Sequence, residues 1–237
     1  MRKLCVILAV LVIVGAAQAQ HRIGLVGVLH FADLRNLGDS FDGLDFSSRT
    51  LFGFGGVLDL TLVKNISLRM EPMYLQKGGK LEGAPEDFQS FTVKEAYFEV
   101  PLLLKAASSS RTIQPYLLVG PTLGLLLSSK ADFNLPFGFG LAHIEVDTQD
   151  LNKSVSFGFV IGGGITIPLG QNAVFIEGSY VHSLTKSNEE GKISVPILEK
   201  LLGQPTEIEF TEEDSWKYRG VQIMIGITFP FGEQISQ

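Results

Sequence analysis

Two consecutive stretches of alternating residues constrain this chain more than any other feature of its sequence. In residues 92–105 (TVKEAYFEVPLLLK), apolar side chains at even positions alternate with a second set: Glu95, Tyr97, Glu99, Leu103 and Lys105. In residues 113–127 (IQPYLLVGPTLGLLL), aliphatic side chains at odd positions alternate with Gln114, Tyr116, Gly120, Thr122 and Gly124. Successive side chains of a strand point to opposite faces. The two-residue period therefore predicts two strands, each with one aliphatic face.

The same period recurs in six further segments, so the sequence predicts eight strands. They cover residues 22–31, 49–63, 66–74, 92–105, 113–127, 155–169, 174–183 and 218–229. Short turns at residues 64–65, 108–111 and 170–172 alternate with long loops at residues 33–48, 77–91, 129–153 and 186–215. An even strand number, with short turns and long loops in alternation, is typical of bacterial outer-membrane barrels.

A closed barrel also explains how such strands can face lipid. Lipid offers no hydrogen-bond partner to a free strand edge, and closure removes every edge. The uncharged residues 154–176 are long enough for a spanning helix, but Gly162-Gly163-Gly164, Pro168 and the two-residue period argue against one. The prediction is therefore an all-β fold, an eight-stranded antiparallel transmembrane β-barrel with short periplasmic turns and long extracellular loops.

The first residues predict export. Arg2 and Lys3 precede an apolar segment and the small residues Ala17 and Ala19, which is the pattern of a secretory signal peptide. We expect residues 1–19 to be removed, residues 20–237 to form one barrel domain, and the mature chain to reside in the outer membrane. Its single cysteine, Cys5, lies in the signal, so no disulfide contributes. The net charge of −6 argues against a nucleic-acid partner.

Five prolines fall within the predicted strands, and each removes one backbone donor: Pro72, Pro101, Pro115, Pro121 and Pro168. A closed barrel has no edge strand to receive them. We expect strand ends or bulges to accommodate some of them.

Several motifs carry a family resemblance. They are Lys77-Gly78-Gly79, the Y-x-E-x-P-x-L-x-K run at residues 97–105, Pro115-Tyr116-Leu117 with Gly120-Pro121, and Glu177-Gly178-Ser179-Tyr180 with Ser183-Leu184. Across nearly the whole mature chain, the sequence resembles the PorT-like outer-membrane β-barrel proteins of Bacteroidota. The resemblance implies an eight-stranded outer-membrane barrel and accounts for prolines within strands. It implies no settled activity, although one member is linked to a secretion and gliding apparatus.

The inward parity of the predicted strands collects the candidate polar residues of a lumen. They are Asp59, Arg69, Glu71, Glu95, Tyr97, Glu99, Lys105, Tyr116, Glu177 and Gln222. The lumen of an eight-stranded barrel is just wide enough for side chains to fill it. We therefore expect a buried ion-paired plug. The alternative is a narrow porin-like conduit, for cations or other small polar solutes because carboxylates outnumber cations by five to two.

No catalytic, cofactor or metal site is expected. His182 and Ser183 are adjacent, so on a strand they point to opposite faces and cannot act as a base and a nucleophile. A lipid A-modifying barrel enzyme is therefore a weaker alternative, as is a component of a secretion apparatus. An acidic run in the last loop, with Glu207, Glu209 and Glu212, suits a solvated surface better than a Ca²⁺ site.

The long loops are the expected place for specific function, because the scaffold is generic. Two contain apolar residues that we take as candidate interaction sites: Phe133, Phe137, Phe139, Ile197, Leu198 and Leu201. The predicted function is a non-enzymatic barrel that acts structurally or through these loops, in adhesion or partner binding. Its expected partners are outer-membrane lipid and lipopolysaccharide, the export and barrel-assembly machinery, and an unidentified surface protein or ligand.

Overall fold

The computed structural model describes residues 21–35, 45–47, 49–82, 90–110, 112–137, 140–149, 152–185, 191–194, 207–210 and 217–231. The strands are β1 (His21–Arg35), β2 (Asp45–Ser47), β3 (Arg49–Val63), β4 (Ile66–Met70), β5 (Met73–Glu82), β6 (Ser90–Ala107), β7 (Gln114–Phe137), β8 (Gly140–Asp147), β9 (Val155–Leu169), β10 (Asn172–Ser183), β11 (Gly191–Ser194), β12 (Glu207–Phe210) and β13 (Lys217–Phe231). Within these ranges, no helix is long and apolar enough to cross a membrane.

Eight strand positions close into a ring, which confirms the predicted barrel. Each position pairs antiparallel with the next, in the order β1, β3, β4–β5, β6, β7, β9, β10 and β13. The ring closes where β13 pairs with β1 over the full length of both strands, from His21 with Phe231 to Arg35 with Lys217. Closure leaves no unpaired edge in the ring.

The predicted parity is confirmed on every strand of the ring. Large apolar side chains face outward and keep 37–72% of their surface exposed, among them Leu25, Phe54, Leu117, Ile161 and Ile225. Their neighbours along each strand face the lumen and are buried, in the alternating pattern of β10 for example. An outward apolar surface around a polar interior is the arrangement that a barrel needs in lipid.

The prolines are accommodated inside the ring, at the loss of single hydrogen bonds. Pro72 separates β4 from β5, yet both strands keep one register against β6, with Met70 opposite Leu102 and Met73 opposite Glu99. The Pro72 carbonyl accepts a hydrogen bond from the Gly56 N–H (2.9 Å) and the Pro101 carbonyl accepts one from the Glu71 N–H (3.2 Å). Pro72 and Pro101 therefore both remain acceptors, and β4–β5 counts as one interrupted strand.

The structure corrects the predicted loop boundaries, because several strands run farther toward the loop end than their apolar residues indicate. The segment 77–91 is mostly strand, since β5 continues to Glu82 and β6 begins at Ser90. The segment 129–153 is not a plain loop either, because β7 continues to Phe137 and pairs with β8. Within 186–215, β11 pairs with β12. By contrast, Lys64-Asn65 and Gly170-Gln171 form the expected tight turns.

We predict that a charge on the outward face destabilises the barrel more strongly the closer it lies to the middle of the bilayer. Ile225 lies midway along β13 and is 60% exposed, whereas Phe231 ends the strand. Ile225→Arg should lower the free energy of unfolding by about 2–4 kcal/mol, because arginine at the bilayer midplane is poorly solvated, and Phe231→Arg by about 0–1 kcal/mol. Urea unfolding from phospholipid vesicles measures both, and equal losses would contradict an outward face in lipid.

Candidate functional site

The lumen is organised around the guanidinium of Arg69, which is almost fully buried. Its Nε and Nη2 donate to the two oxygens of Asp59 at 2.7 and 2.8 Å. Its Nη1 donates to Glu177 Oε2 at 2.7 Å and to Glu71 Oε1 at 3.3 Å. One cation therefore holds three carboxylates through charge-assisted hydrogen bonds, and the pair with Asp59 uses both prongs of the planar fork.

Strand pairing explains why these groups meet. Asp59 of β3 lies directly opposite Arg69 of β4, and Glu71 follows on the same face two residues later. Glu177 belongs to β10, which is four positions away in the ring of eight, on the opposite wall. The Arg69–Glu177 ion pair therefore crosses the lumen.

Two aromatic rings and a second cation complete this inner network. The Arg69 guanidinium carbon lies 5.3 Å from the centre of the Tyr116 ring and 4.8 Å from that of Phe175. The Tyr116 hydroxyl donates to Glu177 Oε2 at 2.9 Å. Lys105 Nζ donates to Asp59 Oδ2 at 3.1 Å and lies 4.3 Å from the centre of the Tyr116 ring. Buried charges of both signs thus have partners, as burial requires.

An outer network lies nearer the long loops. Lys77 of β5 forms an ion pair with Glu99 of β6, and its ammonium lies 4.7 Å from the Tyr97 ring centre and 5.7 Å from that of Tyr218. The Tyr97 hydroxyl donates to Glu95 Oε2 at 2.9 Å. Gln222 of β13 and His30 of β1 form a separate polar pair on the lumen face, in which the Gln222 amide donates to His30 Nδ1 at 3.1 Å.

Apolar side chains separate the two networks. Along β4–β5, Met73 and Leu75 lie between Arg69 and Lys77 on the lumen face, and along β6, Leu103 lies between Glu99 and Lys105. Leu118 of β7 packs beside Leu103, and Met224 of β13 beside Met73 and Leu75. The lumen is therefore layered, with an apolar layer between two ion-paired layers.

The residues predicted for the lumen are all buried, but the structure divides them between the two networks and the His30–Gln222 pair: Asp59, Arg69, Glu71, Glu95, Tyr97, Glu99, Lys105, Tyr116, Glu177 and Gln222. Sequence reasoning counted two lumen cations and missed two more among the described residues: Lys77, which it assigned to a loop, and Arg22, which lies opposite Asp59. It also missed the roles of Phe175 and Tyr218. Arg69 and Glu71 occupy odd-numbered positions on the inward face, and the same parity continues through residues 73 and 75 to Lys77. This pattern could have predicted that Lys77 faces the lumen.

The remaining candidates divide between confirmed positions and parts that the structure does not describe. His182 faces outward and stacks on Tyr180 at 6.5 Å between ring centres, while Ser183 is buried on the lumen side, as the parity predicts. Among the described residues, no group of three or more His, Cys, Asp or Glu side chains could hold a metal ion. The loop candidates lie outside the described part, either wholly or in their side chains: Phe133, Phe137, Phe139, Ile197, Leu198 and Leu201.

Comparison with known proteins places the chain among outer-membrane barrels. The sequence profile described as "Outer membrane protein beta-barrel domain" matches residues 16–189. OprG of Pseudomonas aeruginosa aligns with a TM-score of 0.53 and 12% identity, over 92% of this chain and 99% of OprG. Neisserial surface protein A aligns with a TM-score of 0.45 and 12% identity, over 89% and 97%. The Yersinia pestis attachment invasion locus protein Ail aligns with a TM-score of 0.43 and 12% identity, over 90% of this chain and 99% of Ail. Among curated proteins, none matches the sequence. At such identities, the likeness to OprG supports the fold alone.

We predict that the inner network is the most sensitive polar part of the barrel. Arg69→Met leaves three buried carboxylates without their shared cation and should lower the free energy of unfolding by about 3–5 kcal/mol. Adding Glu177→Gln should restore part of that loss, because one uncompensated charge is removed. The control is Lys64→Gln, which removes a cation from the exposed Lys64-Asn65 turn. It should change the free energy of unfolding by about 0.5 kcal/mol or less, and an equal loss in both single variants would contradict the prediction.

A second prediction concerns the glycine opposite Phe175. A Cβ on Gly226 would meet Cε1 and Cζ of that ring at 2.5 Å, so Gly226→Ala must displace the ring from Arg69. We expect destabilisation of about 1–3 kcal/mol, as for other overpacked sites. Gly178→Ala adds the same methyl group to open space on the outward face and should stay within about 0.5 kcal/mol of the parent chain. Urea unfolding compares the two, and a neutral Gly226→Ala variant would contradict this packing.

Proposed function

Because the chain belongs to the outer membrane protein beta-barrel domain family, we propose that it is a small outer-membrane barrel with a closed lumen that carries out no reaction. It acts structurally or through its extracellular loops. The Arg69–Glu177 ion pair carries this proposal, since it links opposite walls of the ring. A solute would have to break that pair, and with it the fork to Asp59, in order to pass.

The apolar layer supports a closed lumen independently of the ion pairs. Leu75, Leu103 and Leu118 are each at most 2% exposed. An ion or sugar crossing this layer would lose its hydration without gaining polar partners, which is costly in a low-dielectric interior. The charged layers on either side therefore do not form one polar path.

The excess of carboxylates gives only weak support to the alternative, a conduit for cations or other small polar solutes. Each of the five lumen carboxylates interacts with a described polar or cationic group, from Asp59 with Arg69 to Glu95 with Tyr97. Side chains that pair with one another across a lumen fill it, and they are not free to bind passing ions.

The size of the cavity beside His30 supports a non-enzymatic role. His30 shares a cavity with Thr122, Ser156 and Ser183, which are the residue types that hydrolytic chemistry uses. That cavity measures about 10 Å³, which is room for about one water molecule. A lipid or peptide substrate does not fit beside the histidine.

The remaining features of the proposal follow from the sequence. Residues 1–19 would act as the export signal, and the chain would reach the outer membrane through the export and barrel-assembly machinery. There its outward apolar face would meet lipid and lipopolysaccharide. Membership of the PorT-like group is proposed on the motif at residues 97–105, and binding of a surface partner on the apolar content of the loops.

We predict that the intact protein is closed in planar bilayers. The parent chain should insert without steady conductance, because ion pairs and apolar side chains block the lumen. The triple variant Leu75→Ala, Leu103→Ala and Glu177→Ala should show conducting events, since two large side chains leave the apolar layer and the ion pair across the lumen is removed. Single-channel recording compares the two, with the heat-dependent gel mobility of folded barrels as the check on folding. A steady open level in the parent chain would exclude the closed barrel and favour the conduit.

A further inference from the structure

The end of the barrel that carries the tight turns contains two adjoining cavities. They measure about 370 and 280 Å³ and share Arg22, Asp59, Lys105 and Gln114 among their lining residues. Turn residues Lys64-Asn65 and Gly170-Gln171 lie at their margins, so the cavities form a vestibule between the inner network and the turn end. In an outer-membrane barrel, the short turns face the periplasm.

We propose that this vestibule is a binding site for a small anion that carries a phosphate or carboxylate group. Its described lining contains four cations, namely Arg22, Lys64, Arg69 and Lys105, and a single carboxylate, Asp59. That carboxylate is already engaged by Arg69 at 2.7 and 2.8 Å and by Lys105 at 3.1 Å. Arg69 is also held by Glu71 and Glu177, so the positive charge that remains for a ligand comes mainly from Arg22 and Lys64.

Arg22 is the residue best placed to receive the anion. Its Nε donates to Thr228 Oγ1 at 3.0 Å, and its Nη2 donates to the carbonyl oxygens of Gln171 at 3.0 Å and Thr228 at 3.2 Å. These partners are neutral, and within the described part of the chain no carboxylate forms an ion pair with Arg22. The side chain is held in one geometry, and the carboxylate that acts on its charge through space, Asp59 directly opposite on β3, is shared with Arg69 and Lys105. A guanidinium fixed in this way loses little conformational entropy when it binds a phosphate or carboxylate.

The polar wall and the size of the vestibule fit such a ligand. Gln114 offers an amide to both cavities, and the hydroxyl of Thr166 lines the larger one. That hydroxyl is buried and has no hydrogen-bond partner among the described residues. A volume of about 370 Å³ lies within the range of small-molecule sites, about 300–1,000 Å³. The vestibule therefore combines a fixed cation, further positive charge and an unused donor in a space of suitable size.

This inference goes beyond the proposed function and does not depend on it. The vestibule lies on the turn side of the Arg69–Glu177 pair, so an anion can enter it whether or not the lumen conducts. Channel recording tests closure alone, and anion binding tests the vestibule alone, so the two can fail separately.

The experiment measures phosphate binding to the full barrel. The refolded protein in detergent micelles is titrated with inorganic phosphate by calorimetry, in a chloride background of constant ionic strength, and acetate replaces phosphate in a parallel titration. The parent chain should bind one anion saturably. Arg22→Gln should weaken phosphate binding roughly tenfold or more, in line with the loss of a hydrogen bond between charged groups. Lys94→Gln removes one cation from the outward face at the loop end and should leave the affinity unchanged.

A second variant keeps the test decisive if Arg22→Gln disturbs the seam between β1 and β13. Gln114→Glu adds a carboxylate to the vestibule lining without removing a cation and should also weaken phosphate binding. Heat-dependent gel mobility reports whether each variant is folded. Tighter binding of phosphate than of acetate would identify the phosphate group as the preferred chemistry, and the reverse order the carboxylate. Absence of saturable binding to the parent chain, or equal affinity in the parent and both vestibule variants, would overturn the proposal.

Discussion

The ion pair between Arg69 and Glu177 is the interaction on which the rest of the lumen depends. Closing eight strands into a ring satisfies the backbone, but it also encloses every inward side chain in a space that bulk water hardly enters. A charge placed there must find an opposite charge within reach. Arg69 meets this requirement for Asp59, Glu71 and Glu177 at once, and so connects both walls of the barrel. Removing it would expose all three carboxylates to the same desolvation.

The position of Arg69 depends in turn on two glycines. Tyr116 lies opposite Gly164, and Phe175 lies opposite Gly226, each as a directly paired residue on the neighbouring strand. A Cβ at Gly164 would meet the Tyr116 hydroxyl at 2.6 Å, as one at Gly226 would meet the Phe175 ring. Because glycine presents no side chain, each ring occupies the space beside its glycine and contacts the Arg69 guanidinium. Glycine in these strands therefore serves packing more than backbone flexibility.

The sequence predicted the ring, the strand parity and the identity of most lumen residues, because one period governs all three. It could not predict the strand ends by the same means. Beyond the lipid-facing band, outward side chains become polar, as at Lys94 and Lys130, and the contrast between the two faces disappears. Lys77 was assigned to a loop for this reason, because Gly78 and Gly79 follow it and are typical of a loop. The sequence also could not predict which side chains pair across the lumen. The positions of β4 and β10 on opposite walls depend on closure of the ring and not on any local pattern.

The layered lumen gives the two ends of the barrel different chemical characters. On the loop side, Lys77 has Glu95 and Glu99 nearby, and aromatic rings surround it. On the turn side, the four cations Arg22, Lys64, Arg69 and Lys105 outnumber the three carboxylates of the inner network, Asp59, Glu71 and Glu177. The apolar layer of Leu75, Leu103 and Leu118 keeps these two environments apart. The hydrogen bonds and ion pairs described for each network stay on its own side of this layer, so ligands at the two ends would contact separate sets of polar groups. The same side chains that close the lumen therefore make two independent surfaces available to the two compartments.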